Sequence, residues 1–147
     1  MIIRQATIED RQHLVQLLNF LFEQEADFSP NTALQEKGLE SIITDEKKGH
    51  ILIMEHQGRP IGMVNLLYTI STALGAKVAL LEDMIIHPNF RHQGLGSRLL
   101  QAAIKHAKDI GCRRITLLTD LDNYTAQEFY QKHGFQSSAM KPYRLLF

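Results

Sequence analysis

Leu80-Leu81-Glu82-Asp83-Met84-Ile85-Ile86, followed by His87-Pro88-Asn89-Phe90 and then Arg91-His92-Gln93-Gly94-Leu95-Gly96, decides how this chain folds. An apolar strand runs into a glycine-containing loop, and the loop opens an amphipathic helix. Leu95, Leu99, Ala102, Ala103, Ala107 and Ile110 recur at helical spacing, while Ser97, Arg98, Gln101, Lys105, Lys108 and Asp109 fall on the opposite face. The first turn of such a helix leaves backbone N–H groups unpaired at the positive end of the helix dipole, an arrangement suited to phosphate. Glycine at 94 and 96 lets an oxygen approach the main chain closely and permits unusual dihedrals. Two glycines at a helix start are also ordinary turn punctuation, so this stretch alone leaves both readings open.

Arg91-x-x-Gly94-x-Gly96 after an apolar strand resembles the acyl-CoA pyrophosphate signature of the GNAT superfamily of N-acyltransferases. Downstream, Asn123-x-x-Ala126-x-x-Phe129-Tyr130 with Gly134-Phe135 is similar to the family's second conserved block. Two motifs in order are far more specific than one. The resemblance implies an α/β fold (α+β in some schemes): a central mixed, largely antiparallel sheet with a splayed parallel strand pair and flanking helices. It implies acetyl-CoA as cosubstrate, its pantetheine arm lying along the backbone of Met84, Ile85 and Ile86. Its pyrophosphate would lie in the loop of Arg91, His92, Gln93, Gly94, Leu95, Gly96 and Ser97, with Asn123 and Ala126 beside the cofactor. Leu81-Glu82-Asp83 is locally similar to the corresponding strand of spermidine and spermine acetyltransferases, where the glutamate contacts the amine. Departures are His92, where glycine is frequent, and His87-Pro88 ahead of the loop; they caution against copying the substrate.

Composition agrees with one small domain over 1–147. The chain is 44% hydrophobic, and 16 Lys plus Arg balance 16 Asp plus Glu. A formal net charge of zero argues against general attraction to nucleic acid or an anionic membrane surface, so any anion site is local. The single cysteine, Cys112, rules out an internal disulfide and reads as a small buried hydrophobe at a helix-to-strand junction. No segment reads as a targeting peptide or membrane span, which makes the cytoplasm the expected location.

In chain order, Ile2 to Ala6 reads as a strand, and Thr7 with Asp10 as a capping box opening a helix with a stripe of Leu14, Leu17, Leu18, Leu21 and Phe22. Glu23, Glu25 and Asp27, near Phe28 and Ser29-Pro30, are ordinary helix-end charges or an acidic wall for a cationic amine. Thr32 with Gln35 suggests a second helix, continued by Leu34, Leu39, Ile42 and Ile43 and closed by Lys47-Lys48-Gly49. His50 to Glu55 and Ile61 to Tyr68 read as a hairpin, Thr69 to Gly75 as a loop, and Arg113 to Thr119 as a strand parallel to the one carrying Glu82. Pro142 to Phe147 reads as a final strand at a subunit edge of a homodimer.

The resemblance places Tyr130 as general acid. Amine attack on a thioester expels a thiolate whose reference pKa is near 8.5, and a phenol near 10 can return a proton to it. A lysine-like amine of pKa near 10.4 is unprotonated in only roughly one molecule in 2,500 at pH 7, so a base is needed. Glu82 is the expected base, directly or through water, its basicity raised by partial burial. Asp83 points to the opposite face if the strand is regular, although a bulge would change that. His87 and His92 match no metal-ligand spacing, and no metal is expected. The acceptor is a small-molecule or peptide amine. A non-catalytic acyl-CoA sensor of the same fold is the alternative, against which the pairing of Glu82 with Tyr130 argues.

Overall fold

Five strands lie in one sheet in sequence order: β1 (Ile2–Gln5), β2 (Gly49–His56), β3 (Arg59–Ser71), β4 (Ala76–Ile86) and β5 (Ile115–Leu117). The computed structural model describes residues 1–24 and 30–147. β1 to β4 are antiparallel neighbours, and β5 runs parallel to β4. The crossover between them is α3 (Leu95–Asp109), as the parallel connection requires. Preceding it are α1 (Arg11–Phe22) and α2 (Thr32–Ile43), and α4 (Tyr124–Lys132) follows β5. This is the mixed, largely antiparallel sheet with flanking helices expected from the sequence.

Alternation along the strands sorts the core onto two faces. Ile51, Ile53, Met63 and Ile85 pack with Leu14, Leu17 and Leu18 of α1 and Leu39 of α2. Leu52, Val64, Leu66 and Leu81 pack with Leu95, Leu99, Leu100 and Ala103 of α3. Leu99 and Leu100 are fully enclosed, each worth about 1.5–3 kcal/mol of burial. The capping box at Thr7 and Asp10 forms, and Asp10 also receives two hydrogen bonds from Arg4, at 2.8 and 2.9 Å.

Several boundaries differ from the sequence reading. Asn31, not Thr32, caps α2: its side chain accepts from the Leu34 N–H, and Gln35 Oε1 accepts from the Asn31 N–H. Gln35 therefore turns inward and Leu34 outward, 66% exposed. α2 ends at Ile43, and Gly49 belongs to β2, where a Cβ would collide with the Leu66 carbonyl. β3 continues through Ser71, since Thr69, Ile70 and Ser71 pair with Val78, Lys77 and Ala76. β5 spans only Ile115–Leu117, and residues 142–147 form no strand, having no ladder partner in the single chain.

The short β5 shapes the site. Its ladder with β4 runs from Ala79↔Ile115 to Leu81↔Leu117 and stops. Residues 82–86 of β4 therefore continue without a neighbour on that side, and the parallel pair opens toward the loop that starts α3.

Candidate active site

The open end of β4 is irregular as well as unpaired. Asn65 pairs with Glu82 and Met63 with Ile85, so Asp83 and Met84 stand opposite Val64 alone. Asp83 takes φ +54°, a left-handed conformation that a non-glycine residue adopts at a cost. The bulge redirects its side chain: instead of pointing to the α3 face, Asp83 accepts a hydrogen bond from Asn65 Nδ2. Asn65 lines up with Ile51 in the β2 register, placing this contact on the α1–α2 face. Burial is the main reason that the Asp83 carboxyl is pushed up to about 6, with the neighbouring Glu82 charge adding to it and the Asn65 hydrogen bond opposing it. Asn65 is 2% exposed, and its Oδ1 has no partner.

Glu82 lies on the same register position as Asn65 but is exposed, contrary to the partial burial expected for it. The bulge brings both carboxylates to one face of the sheet and leaves Asp83, not Glu82, the more enclosed of the two. Only the possibility of a bulge signalled this in the sequence.

At the start of α3 the chain forms a cavity of about 250 Å³ lined by Ile86, Phe90, Arg91, His92, Gly94, Leu95, Gly96, Ser97 and Phe129. Gly94 is the N-cap residue with φ +75°, and His92 holds φ +63°. These turns aim the first N–H groups of α3 toward the cavity. A Cβ at Gly96 would meet the Phe129 ring at 3.6 Å, so α4 packs directly over the loop. Gln93 lies in the same loop, between His92 and Gly94. The donor set and the apolar rim of Ile86, Phe90 and Phe129 fit a pyrophosphate with an attached organic arm.

Three expected ligand groups are already engaged. Arg91 Nε donates to the Ile86 carbonyl at 2.9 Å, and both its Nη atoms lie 3.2 Å from the Gln24 amide, whose oxygen accepts. Its guanidinium thus ties the loop to the strand end and to the residues after α1. Ser97 Oγ sits 3.0 Å from His133 Nε2. Asn123 Oδ1 accepts from the Ala126 N–H at 3.1 Å, capping α4.

Tyr130 packs edge-on against Phe129 and Phe135, with ring centroids 5.2 and 5.6 Å away. Burial pushes its phenol up to about 12, keeping the proton in place at neutral pH. Gly134, at φ +95°, ends α4 and turns Phe135 back onto it.

A second cavity, about 320 Å³, lies on the α1 side of the sheet between His13, Gln16, Leu17, Asn19, Phe20, Glu23, Pro60 and His87. Sequence reading left Glu23 as either an ordinary helix-end charge or a wall residue and had no signal for His13, Gln16 or Asn19, whose convergence depends on the packing of α1. Glu25, Asp27, Phe28 and Ser29 lie outside the described residues. His87 caps the 3-10 turn at Pro88–Phe90, its Nδ1 accepting from the Asn89 N–H. Among the described residues no three His, Cys, Asp or Glu side chains converge as a metal-binding group, and no helix is long and apolar enough to cross a membrane.

Comparison with known proteins agrees with this geometry. The profile of the acetyltransferase (GNAT) family matches residues 12–135. The chain is 32% identical over 140 residues to the uncharacterized N-acetyltransferase YhfO of Bacillus subtilis (strain 168), a match covering 91% of this chain and 89% of that protein. It is 25% identical over 136 residues to the aminoalkylphosphonate N-acetyltransferase of Salmonella typhimurium, covering 92% and 85%. A crystal structure of a probable acetyltransferase superposes with TM-score 0.85 at 26% identity, over 100% of this chain and 98% of that one.

Proposed function

Because the chain belongs to the acetyltransferase (GNAT) family and is an acyltransferase, we propose that it transfers an acetyl group from acetyl-CoA directly to a primary amine of a small molecule or peptide. One observation carries the reading: the unpaired, bulged end of β4 opens beside the cavity at the N-terminus of α3. A thioester carried into that gap supplies the activated acetyl carbon; the chain supplies orientation, charge stabilisation and proton management.

The roles divide among its residues as follows. The loop from His92 to Ser97 holds the pyrophosphate by backbone N–H groups, and Arg91 fixes the loop rather than acting as its main anion ligand. The backbone of Met84, Ile85 and Ile86, released from β5, is available to pair with the pantetheine arm and to polarise the thioester carbonyl. Asn123 and Ala126 form the cofactor-facing start of α4. Glu82, exposed on the α1–α2 face, takes the proton of the attacking amine, and Tyr130 returns one to the departing thiolate. Asp83 adds a second carboxylate beside Glu82, pushed up to about 6 chiefly by burial.

The acceptor enters from the α1 side, where His13, Gln16, Asn19, Glu23 and His87 present a polar wall. That wall suits a small polar amine. The aminoalkylphosphonate enzyme named above is a relative whose acceptor, by its name, is of that size.

Calorimetric titration with acetyl-CoA and CoA, followed by thiol release against a panel of amines, tests the proposal. Saturable binding with release on one amine class is the expected result. Binding without release on any amine favours a sensor, and absence of binding removes the assignment of the 91–97 loop. Glu82→Gln should lose turnover by roughly 10²–10⁴. Retained turnover in Glu82→Gln, with loss in Asp83→Asn, would transfer the base role to Asp83.

A further inference from the structure

The short helix α4 reaches back to the loop at the start of α3 through a polar contact: Ser97 Oγ lies 3.0 Å from His133 Nε2. Ser97 stands in the first turn of α3 and lines the cavity there, beside the N–H groups of that turn. His133 follows α4 and is held on two sides. Its N–H donates to the Tyr130 carbonyl at 3.0 Å, and its ring packs edge-on against Phe129, with centroids 5.1 Å apart. Phe129 in turn lies over Gly96 and lines the same cavity. Ser97 and His133 are both half-buried, so water competes with their contact less than it does at an open surface.

The proton inventory of this contact decides what Ser97 offers to the cavity. A serine hydroxyl has one proton and two lone pairs, and a neutral imidazole nitrogen either donates or accepts. If Ser97 donates to Nε2, only oxygen lone pairs are left for the cavity, and these repel a phosphate. If Nε2 donates to Oγ, the hydroxyl proton is released toward the cavity and joins the backbone N–H groups as a further donor. A pyrophosphate presents acceptors only, so it selects the second arrangement. The chain Nε2–H···Oγ–H···O–P is then polarised in one direction, each bond strengthening the next.

We propose that His133 is a positioning residue for acyl transfer: it donates to Ser97 Oγ and so turns the serine hydroxyl onto the pyrophosphate of acetyl-CoA. This rests on the reading of the 91–97 loop as the pyrophosphate cradle. It gives α4, the helix that carries Tyr130, a part in holding the cosubstrate through a residue that acts by way of Ser97.

Calorimetry with CoA and NMR titration with pantetheine, which lacks the pyrophosphate, test this on the full chain. His133→Leu should weaken CoA binding roughly tenfold and leave pantetheine binding unchanged, and Ser97→Ala should do the same. The double substitution should bind no more weakly than either single one, because both break the same chain of bonds. His133→Gln, whose amide places a donor near the position of Nε2, should recover most of the CoA affinity, which separates the lost donor from a loosened α4. Nitrogen NMR of the histidine rings should show Nε2 of His133, assigned by its absence in His133→Gln, carrying the proton in the CoA complex. An unprotonated Nε2 in that complex, losses that add in the double variant, or equal losses for CoA and pantetheine would each overturn the proposal. A parent protein that binds no CoA at all would overturn the cradle reading itself, and this inference with it.

Discussion

At the Ala76 end of β4, His50, Tyr68, Lys77, His106 and Cys112 crowd together; at the Ile86 end, Asn65, Glu82 and Asp83 do. Both groups include enclosed, titratable side chains. Burial lowers the pKa of His50 and His106 and raises those of Tyr68 and Cys112, much as it raises that of Asp83. The backbone separates the two ends. Near the first, the left-handed residues are glycines closing turns, Gly75 and Gly111; near the second, Asp83 and His92 hold positive φ without being glycine. Asn65, Glu82 and Asp83 line neither cavity described above, but the strand end they lie on reaches the cavity at α3 through Ile86, whereas none of the five residues at the first end lines either one. Perturbed titration marks burial at both ends, and strain combined with open space marks only one of them.

The largest effect that would test this contrast is chemical. Tyr130→Phe keeps the ring packing against Phe129 and Phe135 and removes only the phenolic proton. Turnover should fall by roughly 10²–10⁴ while calorimetric binding of acetyl-CoA stays unchanged. Undiminished turnover would detach the acid role from α4.

Next in size is Asp83. A carboxyl held near 6 when folded, against 3.8 as its ordinary value, binds more protons in the folded chain than in the unfolded one between those pH values. Its contribution to stability is therefore unfavourable at neutral pH and disappears as pH falls below about 4. Asp83→Asn should stabilise the fold by up to about 3 kcal/mol at pH 7 and by nothing at pH 3.5. Urea midpoints at the two pH values measure this, and an equal change at both would show that the bulged carboxylate is not the strained group.

The sequence discloses the two ends unequally. Strand, loop and α3 are legible because a short apolar run gives way, across Arg91 to Gly96, to a helical period of 3.6. The capping box at Thr7 and Asp10 is legible because its hydrogen bonds are local. The β4 bulge is not, because Glu82 and Asp83 look interchangeable until a register shift against Asn65 decides which is enclosed. Long-range pairing likewise decides the length of β5 and the fate of Pro142 to Phe147: both are strand-like by composition, and only available partners determine how much becomes strand. Gln35 rather than Leu34 is the buried residue because it shares a helix face with Leu39 and its amide bonds to the Asn31 N–H and to Asn19 Oδ1, the latter a contact that only the packing of α1 against α2 supplies.

A smaller backbone effect sharpens the comparison at the loop. Gly94 has open space around its Cβ position but φ +75°, so Gly94→Ala meets a conformational cost and no clash. The expected loss is roughly 1–2 kcal/mol of stability, with weaker acetyl-CoA binding as the loop relaxes. Thermal unfolding with and without acetyl-CoA separates the two contributions; a substitution that changes neither would mean that the left-handed turn is not needed for the cradle.

The smallest effect belongs to the other end. His106 Nε2 is buried without a partner, and its ring lies edge-on to His50 at 4.7 Å. A histidine whose pKa is depressed on folding leaves stability intact above its ordinary value of 6.5. Below that pH the unfolded chain takes up the proton first, and stability falls. Replacing His106 by leucine removes both the orphaned nitrogen and that proton uptake. Stability at pH 7.5 should change by no more than about 1 kcal/mol, because the lost polar group had no hydrogen bond to forfeit. Between pH 6.5 and 5 the variant should lose less stability than the parent, and turnover at neutral pH should be unaltered because this cluster sits at the far end of β4 from the bulge. An unchanged acid sensitivity would shift that role to His50, whose Nδ1 lies 2.5 Å from the Tyr68 hydroxyl. A loss of turnover at neutral pH would join the two ends of the strand functionally and break the distinction drawn from their backbones.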